Sequence, residues 1–540
     1  MKNHFLVFCS LLFLVFACQP TEQDATPENQ LGGLQYDFEI SAAAKTGFDK
    51  GLLLLHSFEY EDAQEAFQEA VAMDSTEVMA HWGEAMTHYK ALWGLQNEEG
   101  GRAVINRLGS TPKERLQKID NALEKDFWQA LEYLYGEGTL NERNQAYAKH
   151  MAALYKKYPD NQEVAAFYAL GLMWSVEEGR DPDVFDLSAR VAEGILDENP
   201  NHPGALHYMI HANDDPSYAK LSLLAANKYD KVAPGAAHAL HMPSHIYLAL
   251  GMWNDVVASN ERSYAASLDR MERKGLDDKA RGYHSYAWLH YGYLQQGRFD
   301  KAAELLQDMQ VFTDNTGGEK GARRYLIDMQ NAQRIESGQW ALDFEPVDVK
   351  YTGLGLNSQA NHHFLNALFA YDKEDKAAIQ MEIDTLKMRN KLASYVVSNE
   401  KAPICSAGPT RYAPNPNDIK QCEVVIHQME ALLAQLEGDA AKAEASMQSA
   451  TQLEDECEYS YGPPQIQYPS YEQYGDWLLK QERYSEAITQ FDKSLEIGQN
   501  RAKALKGKIA AFEALGKATE AEAIQATLEE FWMGDKEEVL

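Results

Sequence analysis

One spacing of small and large side chains, present near both ends of the chain, constrains the fold more than any other feature. In GLLLLHSFEYEDAQEAFQEAVAMDS, Gly51, Tyr60, Ala63 and Phe67 fall at intervals that recur as Gly475, Tyr484, Ala487 and Phe491 in GDWLLKQERYSEAITQFDKSL. Small residues at such intervals let two antiparallel helices approach closely, and the large ones fill the space between them. Between the two segments apolar residues recur at three and four almost throughout, with Pro and Gly confined to punctuation. Related units begin at Leu250 (LGMWNDVVASNERS), Gln296 (QGRFDKAAELL) and Ala514 (ALGKATEAEA), and the 46 residues from Gly251 to Gly297 indicate that some units are elongated.

These segments resemble tetratricopeptide repeats, helix-turn-helix units with a period of 34 residues. The strings NHPGALHYMIH, APGAAHALHMPSHIYLALGMW, RGYHSYAWLHYGYLQQGR and YGPPQIQYPSYEQYGDWLL, in that order, are similar to a bacterial group of such proteins with a central His-Met-Pro-Ser-His run and a Gly-Pro-Pro segment before the last repeats. The chain departs from that group at Tyr468, where Lys is common, and at Asp476, where Glu is common. The resemblance implies an all-α fold, a right-handed α-solenoid of TPR-like helix-turn-helix repeats. Each unit exposes an apolar face that only its neighbour covers, so the array should share one continuous core.

The first residues read as an address. Residues 1–17, MKNHFLVFCSLLFLVFA, place one cation before an apolar run too short to span a bilayer, as in a secretory signal. The end of this run, Val15-Phe16-Ala17-Cys18, resembles the lipobox of bacterial lipoproteins and makes Cys18 the expected lipidation site. The polar stretch after it reads as a flexible tether. The expected organisation is a lipoprotein signal over 1–17, a tether over 18–35, a repeat array with a His-rich centre over 36–395, a Pro/Gly-rich loop over 396–425 and C-terminal repeats over 426–540. The expected location is the cell envelope, with Gln19 after the cysteine pointing to the outer membrane.

The remaining cysteines are Cys405, Cys422 and Cys457. Cys405 and Cys422 flank the loop in a compartment that permits disulfides, so a bridge between them and three unpaired cysteines are both open readings. The 82 acidic against 50 basic side chains give a net charge of −32, which argues against a nucleic-acid partner because phosphate contacts need clustered Lys and Arg. The chain carries no GxGxxG, P-loop, GxSxG or HExxH motif.

The histidines are the sharpest chemical signal. His202, His207, His211, His238, His241 and His245 crowd into one stretch, and the pairs His207/His211 and His241/His245, each four apart, are themselves 34 residues apart. Such pairs project from one side of a helix and occupy equivalent places in successive repeats. His207, His211, His241 and His245, or three of them with Asp214 or Asp215, would suit a transition metal such as zinc, and His238 is a further ligand candidate from the loop. The same five, His207, His211, His238, His241 and His245, would alternatively contact a peptide, protein partner or small ligand in the groove, or serve packing and capping. Pro243 should start a helix and leave His241 at its cap. His284 and His290, six apart, rank second, and the adjacent His362 and His363 read as structural.

Overall fold

The computed structural model describes residues 30–534 apart from 94, 178, 339–346, 348 and 399–412. From Lys45–His56 to Ala518–Glu529 the described chain is a succession of α-helices, interrupted by one antiparallel pairing of Tyr89–Lys90 with Leu95–Gln96. This is the all-α solenoid that the resemblance implies. Helix starts are written locally: Thr111, Thr139 and Asn415 form capping boxes with Glu114, Glu142 and Asp418, and Pro112, Pro182, Pro203, Pro243 and Pro416 occupy first turns.

The repeat is visible in its turns. Phe58, Gly251, Gly297, Glu374, Gly438, Glu482 and Gly516 all adopt left-handed backbone conformations, with φ between 54 and 78°. Each lies two residues before the start of the following helix. One backbone device thus closes seven helix pairs, with Gly at the position in four of them.

The spacing noted in the sequence has a direct meaning in the core. Phe67 inserts between Gly51 of its own unit and Gly83 of the next, where a β-carbon would stand 2.8 and 2.2 Å from its ring. Phe491 repeats the arrangement between Gly475 and Gly507, at 2.7 and 2.3 Å. Overpacking such a joint costs about 1–3 kcal/mol. Gly83→Ala is accordingly expected to lower the denaturation midpoint without changing the slope of the transition, and equilibrium unfolding in urea measures both.

The array closes on itself. Trp253 Nε1 donates to the Asn500 carbonyl (2.8 Å), Met533 N to the Gln296 carbonyl (2.7 Å) and Ala502 N to Gln295 Oε1 (2.9 Å). Gly251 faces the Gln499 carbonyl, where a β-carbon would stand at 2.4 Å, and Gly297 faces the Trp532 ring, where one would stand at 2.5 Å. These two turn glycines therefore serve both the backbone and the docking of the last repeats. Arg501 is the centre of the contact: its guanidinium reaches Glu472 (2.5 Å), Glu336 (2.7 Å) and the Tyr291 hydroxyl, and all three charged side chains are almost wholly buried.

Two expected boundaries shift. Residues 30–35, assigned to the tether, are already docked, since Gly33 N donates to the Asn201 carbonyl and the Gln30 carbonyl accepts from Gly235 N. Within the expected loop 396–425, a helix runs from Pro416 to Glu437, started by the Asn415 cap. The signal, Cys18 and Cys405 lie outside the described residues. Cys422 is buried against Val425 and Leu386, and burial pushes its thiol pKa up. The bridge considered between it and Cys405 therefore lies partly outside the described residues.

Candidate metal centre

Helix Pro203–Ala212 begins with His202 as its N-cap, whose Nδ1 accepts from Ala205 N at 3.2 Å. His207 and His211 follow on one face. The next strip comprises Ala237–His241 and Pro243–Ala249, joined through Met242 in right-handed helical backbone. Pro243 therefore does not isolate His241 at a cap: helical geometry runs through the junction, and the His241 and His245 rings meet as a four-apart pair. Their Nε2 atoms lie 3.1 Å apart.

The structure does not gather His207, His211, His241 and His245 around one point. It divides them between two neighbouring groups, His207/His211/His238 and His241/His245/His284, in each of which one nitrogen per residue lies within 4.8 Å of the others. The groups abut, with ring centroids 6.0 Å apart for His211 and His245 and 6.1 Å for His238 and His241.

In the first group the Nε2 atoms of His207, His211 and His238 are buried without a hydrogen-bond partner. His207 Nδ1 donates to the His56 carbonyl at 2.7 Å, which fixes the proton there and leaves Nε2 a bare lone pair. Burial holds the His207 pKa down to about 3, and burial together with neighbouring histidines lowers those of His211 and His238 well below their ordinary range. The three rings are therefore neutral at physiological pH. Phe58 covers them, with ring centroids 4.3, 5.7 and 5.8 Å from His207, His211 and His238. Its left-handed φ of 55° is costly for a bulky residue. Four of the other six equivalent turns use Gly, so the aromatic contact holds Phe58 in a conformation its backbone disfavours.

In the second group both Nδ1 protons are committed. Asn260 donates its amide to the Val256 carbonyl (2.8 Å), so its Oδ1 faces His241 Nδ1 at 2.7 Å. His245 Nδ1 lies 2.5 Å from Asp214 Oδ2. The facing Nε2 atoms then present two lone pairs to each other, and a proton or a metal ion relieves that repulsion. Two imidazoles on one tetrahedral zinc at 2.0–2.1 Å would be separated by roughly 3.3 Å, close to the observed gap. The oriented Nδ1 partners are also those of metal-bound histidines. Trp288 backs the group, 4.8 and 4.5 Å from the His241 and His245 rings.

His284, a second-rank candidate by its spacing, is brought to His241, with centroids 4.5 Å apart. Asp214 orients His245 through its ring proton. A third group, His56/Glu163/His202, was missed apart from His202. His56 Nε2 bonds Glu163 Oε2 at 2.8 Å, and His202 Nε2 faces Oε1 at 3.3 Å without hydrogen-bond geometry, so this trio gathers two imidazoles around one carboxylate. Burial alone would raise the Glu163 pKa, but His56 and His202 outweigh it and hold it at about 2. The sequence signal for His56 was its place at the end of the wholly apolar LLLLH turn. His362 and His363 are buried against Tyr351, in keeping with a structural role.

His290, wholly buried, bonds Gln333 Oε1 through Nε2 (3.1 Å), and burial holds its pKa at about 3. Because the unfolded chain binds this proton near pH 6.5 and the folded chain does not, its contribution is present above pH 6.5. It is lost on acidification towards pH 3, at about 1.4 kcal/mol per pH unit. His290→Asn is expected to flatten that part of the stability profile, measured by unfolding at a series of pH values.

No protein-family model matches the chain, and no curated protein matches it. Among solved structures, the human IFIT1 dimer with m7Gppp-AAAA is 14% identical, covering 91% of this chain and 96% of that one at a TM-score of 0.35. The APC/C hetero-tetramer Cut9–Hcn1 is 10% identical, covering 95% and 77% at 0.33. A Rap protein complexed with competence and sporulation factor is 12% identical, covering 77% and 99% at 0.33. At these scores the likenesses bear on no functional assignment; what stands is an all-α solenoid of helix-turn-helix repeats lined by two abutting groups of imidazoles.

Proposed function

We propose that the chain is an envelope-tethered repeat scaffold that holds transition-metal ions of the zinc class on its inner surface. The observation that carries this reading is the set of three buried, unpartnered Nε2 atoms of His207, His211 and His238. Other buried atoms of the fold also lack partners, but here three imidazoles converge, each offering a nitrogen within 4.8 Å of the others, an arrangement that suits an ion. His241, His245 and His284 form the second proposed position. Neutral imidazole donors suit zinc, copper, nickel or iron over magnesium or calcium. A zinc ion held by three imidazoles keeps a fourth position for water or a substrate oxygen, where it acts as a Lewis acid. The chain's own part is to fix the tautomers through the His56 carbonyl, Asn260 and Asp214 and to limit water through Phe58 and Trp288.

Tethering through Cys18 rests on the lipobox alone. A peptide, protein partner or small ligand in the groove remains part of the proposal for faces other than the one beside Trp288. There Gly462 packs against the ring so closely that a β-carbon would stand 2.3 Å away, and Tyr461, Pro463 and Gln465 share a small cavity with His284. Elemental analysis of purified protein equilibrated with zinc tests the reading. Retention of one or two ions per chain is expected, and a metal-free protein with intact histidines after exposure to zinc, copper and nickel would sink it.

A further inference from the structure

A cavity of about 260 Å³ lies where residues 457–469 cross between the central and C-terminal repeats. Its wall includes the aromatic rings of Trp253, Tyr291 and Tyr459, and its acidic side chains are Glu454, Asp455 and Glu458; no Lys, Arg or His lines it among the described residues. This combination is specific. An aromatic face attracts a cation through its quadrupole, and carboxylates set beside such faces reinforce the preference in a partly dry site.

The protein answers that preference at Tyr291, where the Arg501 guanidinium lies 5.9 Å from the ring centroid and is itself committed to Glu472 and Glu336, and leaves it open at Trp253 and Tyr459. Glu454 accepts from Ser470 N at 2.7 Å, and Asp455 accepts from the Tyr471 hydroxyl at 2.7 Å. Burial raises the Glu454 pKa to about 7, and the negative charges of Glu472 and Asp455 add to the rise against the Ser470 hydrogen bonds. Asp214 and Asp215 add negative potential at Tyr459. Among the described residues, no cation bonds Glu454, which stands beside an aromatic wall.

We infer that this cavity is a binding site for a small organic ammonium cation, seated against Trp253 and Tyr459 with Glu454 as its counter-charge. The inference rests on the cavity and is independent of the histidine groups. Its volume is at the small end for ligand pockets, which fits a compact headgroup and excludes a bulky one.

Choline and its neutral carbon isostere, 3,3-dimethylbutan-1-ol, are the probes, titrated calorimetrically into the full chain. Choline is expected to bind about tenfold more tightly than the isostere, the margin that a desolvated cation–aromatic contact supplies. Glu454→Gln should remove most of that margin while leaving isostere binding unchanged, and Tyr459→Leu, at a less buried position than Trp253, should weaken choline selectively. Equal affinity for the two probes would overturn the inference. So would choline binding that neither substitution alters in variants whose circular dichroism matches the parent.

Discussion

Arg501→Met is expected to destabilise the protein by about 3–5 kcal/mol, because it strips the guanidinium from two buried carboxylates. Glu472 and Glu336 lie 2.5 and 2.7 Å from Arg501, and the three side chains are 0–2% exposed. Glu472 would keep the Ser494 hydroxyl at 2.9 Å, a neutral donor, and the nearby Lys503 is already paired with Asp476 at 3.0 Å. The loss should fall on the closure between C-terminal and central repeats, since the cluster joins Ser470–Lys480 and Ala502–Ala514 to Tyr283–Gln295 and Lys320–Ser337. Adding Glu336→Gln and Glu472→Gln to Arg501→Met should recover a large part of the loss, because the burden is uncompensated charge more than missing contact. Chemical denaturation of the single and triple variants measures both effects; a triple variant no more stable than the single would contradict this account of the cluster.

Replacing Asp214 with Asn should weaken metal at the second histidine group by about 10- to 100-fold, the usual effect of losing an outer carboxylate. Asp214 Oδ2 meets His245 Nδ1 at 2.5 Å. Without the carboxylate, the imidazole loses the partner that keeps its proton on Nδ1 and its lone pair on Nε2. The first group has a separate orienting contact, the His56 carbonyl on His207, and should keep its affinity. A zinc titration of Asp214→Asn should therefore show one weakened and one unchanged step. Uniform weakening of both would indicate a general structural effect in place of ligand orientation.

The fold was legible because a repeat writes its geometry twice. The intervals Gly51–Phe67 and Gly475–Phe491 describe the same inserted ring, and the turns at Gly251, Gly297, Gly438 and Gly516 announce themselves as glycines. The turns at Phe58, Glu374 and Glu482 could not be read this way, since nothing local marks a non-glycine residue for left-handed backbone. Self-closure through Arg501 was also hidden: its partners lie 29, 165 and 210 residues away in sequence.

The candidate site was half legible. The 34-residue recurrence of His207/His211 in His241/His245 identified which rings face inward, but the period alone does not say how neighbouring rings divide. Division into two groups follows from the contributions of His238 and His284, one from a turn of helix before Pro243 and one from the next repeat. The residues that orient the rings, Asn260, Asp214 and the His56 carbonyl, have no common spacing from them. Asp214 was visible as a carboxylate near the cluster, yet its place behind His245 depends on the superhelix bringing positions 31 residues apart together.

Anomalous diffraction at the zinc edge, from crystals of the full chain equilibrated with zinc, tests the central claim most directly. The expected result is a peak about 2.0–2.1 Å from nitrogens of His207, His211 and His238, with a second beside His241 and His245. A map with no peak at either group, from protein whose histidines are intact and ordered, would contradict it.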